Sequence, residues 1–201
     1  MHSKLITMPH DIDAWDSWEP PVVAARLEGV GVPWCVAGGW AVDLHLGGRR
    51  REHADVEIAV PAGHFDAVAD RFTDLDLHVA ADGEVVPSDP VAMAAHYQTW
   101  AWDPGASCWR FEVFREPHDG DVWICRRDAR LRRPYGNLIR TDRNGIPYLS
   151  PEVVLLFKAK HRRPKDEGDY AALAPVLTAA ERVWLDEALD LVHPGPHPWH
   201  S

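Results

Sequence analysis

The sequence predicts an α+β protein, with strands and helices mixed up to residue 149 and helices alone after that point. Two observations carry this prediction. Segments 55–60 and 109–114 alternate apolar and polar residues, which is the two-residue period of a half-buried strand. From Ser150–Pro151 onward, the chain instead carries signals that start helices. We therefore expect a core over residues 1–149 and a helical segment, packed on that core, over residues 150–201.

Glycines and prolines divide the first half of the chain into short elements. Gly47–Gly48 follows an amphipathic segment and is positioned to end a helix there. Leu75 to Asp103 is expected to contain strands and loops, whose bounds the pattern does not fix. The other expected elements are a helix from Pro21 to Glu28, a strand from Val32 to Ala37, a helix from Trp40 to Leu46, a strand from Asp55 to Val60 and a helix from Phe65 to Phe72.

The second half begins with a strand from Trp109 to Phe114, in which Glu112 and Phe114 lie on the face opposite to Phe111. A short strand is expected over Val122 to Cys125. Asn144–Gly145 is typical of a tight hairpin turn. Three helices then follow, from Glu152 to Lys160, from Asp166 to Leu173, and from Thr178, whose spacing to Glu181 matches a capping box, to about Val192.

The composition is that of an ordinary soluble domain and excludes several classes of protein. The longest apolar run, Val153 to Phe157, is too short to span a bilayer, and the N-terminus lacks the apolar core of a signal peptide. Three scattered cysteines give neither a disulfide framework nor a metal spacing, so we expect a cytoplasmic protein. The net charge of −10 argues against a nucleic-acid surface. It is compatible with a cationic small-molecule substrate, although solubility alone accounts for it.

Two carboxylates lie two residues apart on a strand that is otherwise apolar. Asp55 and Glu57 should share one face, roughly 7 Å apart, while Val56 points into the core. At that distance two carboxylates in a partly dry site repel each other unless a cation lies between them. Mg²⁺ prefers such oxygen ligands. The alternative is a strand face that is simply solvated.

A third carboxylate and a glycine pair extend this pattern. If the strand that carries Glu112 neighbours the first, Glu112 joins Asp55 and Glu57, and three carboxylates can hold two Mg²⁺ ions. Gly38 and Gly39 lie between a strand and a helix, where backbone N–H groups can approach a triphosphate. The alternatives are an exposed strand residue at Glu112 and an ordinary tight turn at the glycines.

The segment AGGWAVDLHLGGRRREHADVEIAV, residues 37–60, resembles the hallmark of the DNA polymerase β-type nucleotidyltransferases. Within that superfamily it is most similar to the small aminoglycoside and lincosamide nucleotidyltransferases. Segments 145–160 and 163–173 resemble the C-terminal helices of the same group, so the resemblance covers about residues 32–193. It implies a nucleotidyltransferase core, in which a mixed, twisted sheet is flanked by helices and carries a C-terminal helical segment.

The resemblance also implies a reaction and a set of site residues. A nucleoside monophosphate, AMP from ATP, would pass to a hydroxyl of a small molecule, such as an antibiotic. Gly38 and Gly39 would hold the phosphates, Asp55 and Glu57 would bind Mg²⁺, and Glu112 would bind metal or deprotonate the acceptor. The family more often has aspartate at the second and third positions. Glutamate reaches one methylene further, which leaves the metal geometry and the choice of base open.

Several other charged residues have both a structural and a functional interpretation. Arg51 could pair with phosphate, or belong to a basic loop. Lys158 rather than Lys160 could reach the triphosphate, since residues two apart on a helix face different ways. His53 could orient Asp55, whereas we expect Asp43 to face solvent or cap a loop. Asp166 and Asp169 could simply start a helix. A structural interpretation also applies to three histidines in the proline-rich tail, His193, His197 and His200.

Two other functions remain open at this stage. The first is a nucleotidyltransferase of the toxin type that modifies tRNA or protein, although the acidic net charge counts against tRNA. The second is a nucleotide-binding protein that keeps the fold without catalysis. No motif in the sequence identifies the acceptor.

Overall fold

The computed structural model describes residues 10–81 and 83–200. Its strands form one eight-stranded sheet and one three-stranded sheet. The strands are β1 Cys35–Val36, β2 Glu57–Pro61, β3 Asp76–Ala81, β4 Glu84–Pro87, β5 Gln98–Asp103, β6 Cys108–Glu116, β7 His118–Asp119, β8 Val122–Ile124, β9 Arg132–Pro134, β10 Ile139–Thr141 and β11 Pro147–Leu149.

The helices flank these sheets, and the last three are consecutive in the chain. They are α1 Pro20–Arg26, α2 Gly38–Leu46, α3 Phe65–Ala69, α4 Pro90–Ala95, α5 Tyr135–Leu138, α6 Pro151–Lys158, α7 Pro164–Leu173 and α8 Ala179–Val192. The predicted α+β class, with a mixed sheet and a helical C-terminal part, is therefore confirmed.

The large sheet has the strand order β10-β11-β1-β2-β6-β5-β3-β4. Its centre is the parallel pair β2 and β6, in which Glu57 is opposite Glu112 and Ala59 is opposite Phe114. β1 is antiparallel to β2 and parallel to β11, so the sheet is mixed. The two strands for which the sequence predicted a neighbouring position are therefore adjacent, with their acidic residues in direct register.

The structure corrects some predicted boundaries. The strand expected over Val32 to Ala37 is reduced to two residues, and α2 begins at Gly38 rather than at Trp40. β2 begins at Glu57, so Asp55 precedes the strand. Gly47 has the left-handed conformation, with φ at +79°, and it ends α2 as expected. Because β10 and β11 pair through Thr141 and Pro147, their connection is a five-residue loop rather than a tight two-residue turn.

The C-terminal helices start as the sequence predicted. Ser150 precedes Pro151 at the first position of α6, and Thr178 and Glu181 form the capping box of α8. Buried residues of α6, α7 and α8 belong to the same hydrophobic core as the strands. The division of the chain at residue 150 stays a prediction.

Further expectations concern the membrane and the cysteines. Within the described ranges, every helix is too short or too polar to cross a bilayer. The three cysteines are free and buried. Residues 1–9, on which the expectation about a signal peptide depends in part, lie outside the described residues, and the compartment stays a prediction.

Candidate functional site

A cavity of about 250 Å³ lies between the centre of the large sheet and the C-terminal helices. Gly38 and Gly39 from the start of α2 line it, together with Asp55 and Glu57. Lys158, at the end of α6, also lines it. The structure therefore brings most of the predicted site residues to one cavity, although the sequence separates them by more than one hundred positions.

The three predicted carboxylates lie close together. Val56 is fully buried and its carbonyl accepts a hydrogen bond from the Glu112 backbone N–H (3.0 Å), so the extended pairing of β2 and β6 continues past Glu57. Asp55 and Glu57 both face the cavity, as their two-residue spacing predicted. Burial and the charge of Asp55 raise the pKa of Glu57. Burial and the charge of Glu57 raise the pKa of Glu112 well above its usual value.

Glu112 is held on its other side by two donors from β5. Its Oε2 accepts hydrogen bonds from the Gln98 amide and from Trp100 Nε1, the latter at 2.9 Å. Both donors come from the strand next to β6, where Trp100 is directly opposite Glu112. One carboxylate oxygen of Glu112 is thus fixed by neutral donors, and the carboxyl group also interacts with Glu57.

Carboxylates are suitable ligands for a divalent cation. Among the described residues, however, no group of three or more His, Cys, Asp or Glu is already arranged as a metal site. Burial and a neighbouring carboxylate raise the pKa of Glu57, through Asp55, and that of Glu112, through Glu57, and a cation would neutralise this unfavourable charge. Oxygen ligands of this kind suit Mg²⁺. Gln98 and Trp100 occupy Oε2 of Glu112, so the other oxygen of this carboxylate would be the one to complete a three-ligand set.

The first glycine of the pair is required by both its conformation and its surroundings. Gly38 has a φ of +57°, which residues with a side chain rarely adopt. A Cβ built on Gly38 would overlap the Glu57 carboxylate. The Glu57 carboxylate therefore lies directly over the first residue of α2, at the end of the helix where backbone N–H groups have no intrahelical acceptor.

The second glycine leaves room for two side chains of the following loop. A Cβ on Gly39 would come within 2.6 Å of His53 Nδ1 and would also meet the Arg51 guanidinium. His53 does not orient Asp55, as one interpretation had it. Its Nε2 instead lies 2.6 Å from Asp43, which is buried rather than exposed to solvent and also accepts from the Arg50 N–H.

An ion-pair network lies behind the cavity wall. Asp169 pairs with Arg51 at 3.1 Å and with Lys158 at 2.9 Å, and Lys158 lies 3.3 Å from Asp166. Asp166 also accepts from the backbone N–H of Arg163 at the start of α7, so it does begin that helix. Arg51 and Lys158 thus line the cavity with their positions fixed by two buried aspartates, while Lys160 is exposed.

The inner part of the cavity contains residues that the sequence analysis did not single out. Glu116 is buried and accepts hydrogen bonds from Trp123 Nε1 (3.1 Å) and from Arg126. Tyr135 is also buried there. A signal was available for Glu116, because Glu112, Phe114 and Glu116 follow the same two-residue period. Trp123, Arg126 and Tyr135 belong to other elements, and no spacing links them to it.

Three comparisons with known proteins bear on this site. Residues 21–103 match the family model described as aminoglycoside-2''-adenylyltransferase. No curated protein sequence gives a significant match. Among solved structures, the lincomycin-bound lincosamide antibiotic adenylyltransferase LnuA is similar over 78% of this chain and 94% of its own, with a TM-score of 0.55 and 19% identity.

Two structures of the antibiotic-resistance factor ANT(2'')-Ia are also similar to this chain. Its complex with adenylyl-2''-tobramycin has a TM-score of 0.56 and 12% identity, over 83% of this chain and 92% of that one. Its solution structure has a TM-score of 0.53 and 15% identity, over 83% and 86% of the two chains. At these identities the structures establish the fold. Together with the family match, they confirm the predicted resemblance and support nucleotidyltransferase activity.

Replacement of Gly38 by alanine tests the contact between α2 and Glu57. We expect Gly38→Ala to lower the free energy of unfolding by about 1–2 kcal/mol because of the left-handed backbone, and to displace the Glu57 carboxylate. Urea denaturation measures the first effect and nucleotide binding the second. Gly48→Ala is the matched control, since nothing lies within 4 Å of a Cβ there. Equal effects of the two variants would contradict the assignment.

Replacement of Asp169 by asparagine tests the ion-pair network through its pH dependence. Burial raises the pKa of Asp169, but Arg51 and Lys158 outweigh burial and leave it lowered. Its contribution to stability is therefore present above the unfolded pKa of about 3.9 and is lost as the pH falls through the lower folded value. We expect Asp169→Asn to cost roughly 2 kcal/mol or more near neutral pH.

The difference between Asp169→Asn and the wild type should shrink as the pH falls from about 7 to about 2, because the wild-type carboxyl is then neutral as well. Denaturant titrations over this pH range measure the difference. Asp70→Asn, at an exposed position, should show little change at any pH. A pH-independent deficit for Asp169→Asn would show that lost packing, rather than lost charge, is the cause.

Proposed function

We propose that this chain, whose fold is that of the antibiotic adenylyltransferases, transfers a nucleoside monophosphate to a hydroxyl group of a small molecule. ATP is the proposed donor, so that AMP is transferred and pyrophosphate is released. The single observation that carries the proposal is the register of β2 and β6, which sets Glu57 against Glu112 beside Asp55 and over Gly38. This arrangement would combine a place for triphosphate with carboxylates for metal binding and proton transfer.

The family match implies a nucleoside triphosphate co-substrate and, in general, a divalent metal. We propose Mg²⁺, with Asp55 and Glu57 as ligands and Glu112 as a third. When bound, Mg²⁺ would neutralise charge on the triphosphate and on the departing pyrophosphate. Gly38 and Gly39 would offer backbone N–H groups to phosphate oxygens. Arg51 and Lys158 already face the cavity and would add positive charge beside them.

The chemical step needs a proton acceptor next to the reacting hydroxyl. The acceptor oxygen would form a bond to the α-phosphorus while the bond from that phosphorus to the bridging oxygen of pyrophosphate breaks. The hydroxyl proton would pass to a carboxylate, for which we propose Glu112. Burial, which raises the pKa of Glu112, makes its ionised form a stronger base than an exposed glutamate. Gln98 and Trp100 would act as positioning residues for it.

A small-molecule acceptor is supported over tRNA or a protein by the shape of the site. Asp55 and Glu57, beside Glu112, open onto a cavity of about 250 Å³, which matches part of a small ligand rather than a macromolecular surface. The names of the matching family and of the solved neighbours refer to antibiotics or to their adenylylation. Modification of an antibiotic is therefore our proposal for the general class of reaction.

Removal of the Asp55 charge tests the proposed reaction. We expect Asp55→Asn to lower Mg²⁺-dependent nucleotide transfer from labelled ATP by at least roughly 100-fold, because metal-held charge in such a site is worth several kcal/mol. Incubation with cell extract shows whether the label enters small molecules or macromolecules. Asp66→Asn, on the exposed face of α3, is the control. Unchanged turnover in Asp55→Asn would refute the assignment, and Mg²⁺–ATP binding without pyrophosphate release would indicate a non-catalytic protein.

Removal of the Trp100 donor tests how Glu112 is held. We expect Trp100→Phe to lower kcat roughly threefold to tenfold, which corresponds to one lost hydrogen bond, and to leave the KM for ATP nearly unchanged. The pH profile of kcat should shift as well, since this donor stabilises the ionised carboxylate. Trp184→Phe, on α8 and outside the cavity, is the matched control. A reduced kcat with an unshifted pH profile would mean that Trp100 is structural.

A further inference from the structure

The inner part of the cavity forms a chamber of mixed aromatic and charged character. We define the inner chamber by Phe114, Glu116, Trp123, Arg126, Tyr135 and Phe157, all of which line the cavity. It begins where the carboxylates end, because Phe114 and Glu116 lie two and four residues beyond Glu112 on the same face of β6. At about 3.3 Å per residue, the chamber extends roughly 13 Å from the proposed base.

One polar group in this chamber is buried without a partner. The Tyr135 hydroxyl makes no hydrogen bond to any residue that the structure describes, and the side chain is 8% exposed. Burial and the nearby Glu116 raise the pKa of Tyr135, so the phenol stays a neutral donor. A buried donor left unpaired costs free energy, and a ligand that accepts from it would recover that cost.

The charges of the chamber do not favour a cation. Glu116 is paired with Arg126, so these two charges cancel. Arg126 is stacked over the rings of Tyr97, Phe114 and Phe157 at 4.5, 4.8 and 4.2 Å, which fixes it in place. Arg127 lines the same part of the cavity and donates to the carbonyls of Leu156 and Phe157 at the end of α6. With Arg127 counted beside the inner chamber, the charged side chains there have a surplus of one positive charge.

We propose that the inner chamber binds the body of the acceptor, and that this acceptor is an uncharged or anionic, largely apolar alcohol with an oxygen that accepts from the Tyr135 hydroxyl. This inference rests on the proposed function and narrows its acceptor. Aromatic walls favour a ring-sized apolar group, and the surplus positive charge disfavours a polycation such as an aminoglycoside. The aminoglycoside family match ends at residue 103, before the first residue of the chamber.

Direct binding of two matched probes tests the inference. Phenylcyclohexanol is neutral and apolar, and its aminomethyl derivative adds one ammonium group to the same frame. Tobramycin serves as the polycation. Isothermal titration calorimetry on the full chain, at about 0.15 M salt and with and without Mg²⁺–ATP, gives the three affinities. We expect phenylcyclohexanol to bind at least roughly tenfold more tightly than either cationic compound.

Two variants connect this preference to the chamber. We expect Tyr135→Phe to weaken phenylcyclohexanol roughly threefold to tenfold, as for one lost hydrogen bond. Tyr148→Phe, whose hydroxyl contacts His45 outside the cavity, should have no effect. Arg126→Gln uncovers Glu116 and should shift the preference toward the aminomethyl derivative by roughly tenfold. Arg132→Gln, at an exposed position, is its control, and thermal unfolding checks that each variant folds.

The outcomes separate this inference from the proposed function. If phenylcyclohexanol binds and Tyr135→Phe weakens its binding, but no nucleotide is transferred to any alcohol, the proposed role of the inner chamber is supported and the proposed nucleotidyltransferase activity is not. If nucleotide is transferred to tobramycin, and the two cationic compounds bind as tightly as phenylcyclohexanol or more tightly, the proposed nucleotidyltransferase activity is supported and the proposed role of the inner chamber is overturned. Absence of phenylcyclohexanol binding, or equal effects of Tyr135→Phe and Tyr148→Phe, also overturns it. If Arg126→Gln does not fold, the tyrosine pair decides the question.

Discussion

The structure of the site depends on one carboxyl pair that the sheet forces together. Since β2 and β6 run parallel with Glu57 opposite Glu112, the two side chains must share the same face at close range. Glu112 is buried and Glu57 is partly buried beside the cavity, and burial together with the charge of Glu57 raises the pKa of Glu112. A fold with nothing to gain from this pair would lose stability by keeping it. The surrounding contacts match that constraint, because neutral donors hold Glu112 on one side and the absent side chain of Gly38 gives room to Glu57 on the other.

Positively charged side chains lie in two places relative to Glu57 and Glu112, one beside them and one farther inside the cavity. Arg51 and Lys158 line the cavity, yet both are paired with Asp169, so they are fixed without being free to collapse onto Glu57. Fixed cations of this kind need little reorganisation when a triphosphate arrives. Farther inside, Arg126 is neutralised by Glu116 and enclosed by rings. In the proposed function, arginine would therefore serve phosphate at one end of the cavity and shape a largely apolar chamber at the other.

The sequence predicted the α+β class, the adjacency of the two acidic strands and the gathering of Asp55, Glu57, Gly38 and Gly39, since each depends on local periodicity or on glycine. It did not predict the Asp43–His53 pair or the chamber. Asp43 is the one acid on α2, where an acid was expected to face solvent or cap a loop, and its burial follows from tertiary packing. Trp123, Arg126 and Tyr135 come from separate short elements around β8 and α5, which no single period connects.

The balance of charges among the residues that line the cavity differs from that of the whole chain, and this bears on the proposed choice of substrate. The chain carries a net charge of −10, whereas six Arg or Lys and three Asp or Glu line the cavity. A negative surface would attract cations at long range, but exposed charges are screened within about 8 Å at physiological salt. The fixed positive groups inside act at contact distance and in a drier medium, where each charge counts for more. In the proposed function, selectivity would therefore depend on the residues that line the cavity rather than on the net charge of the chain.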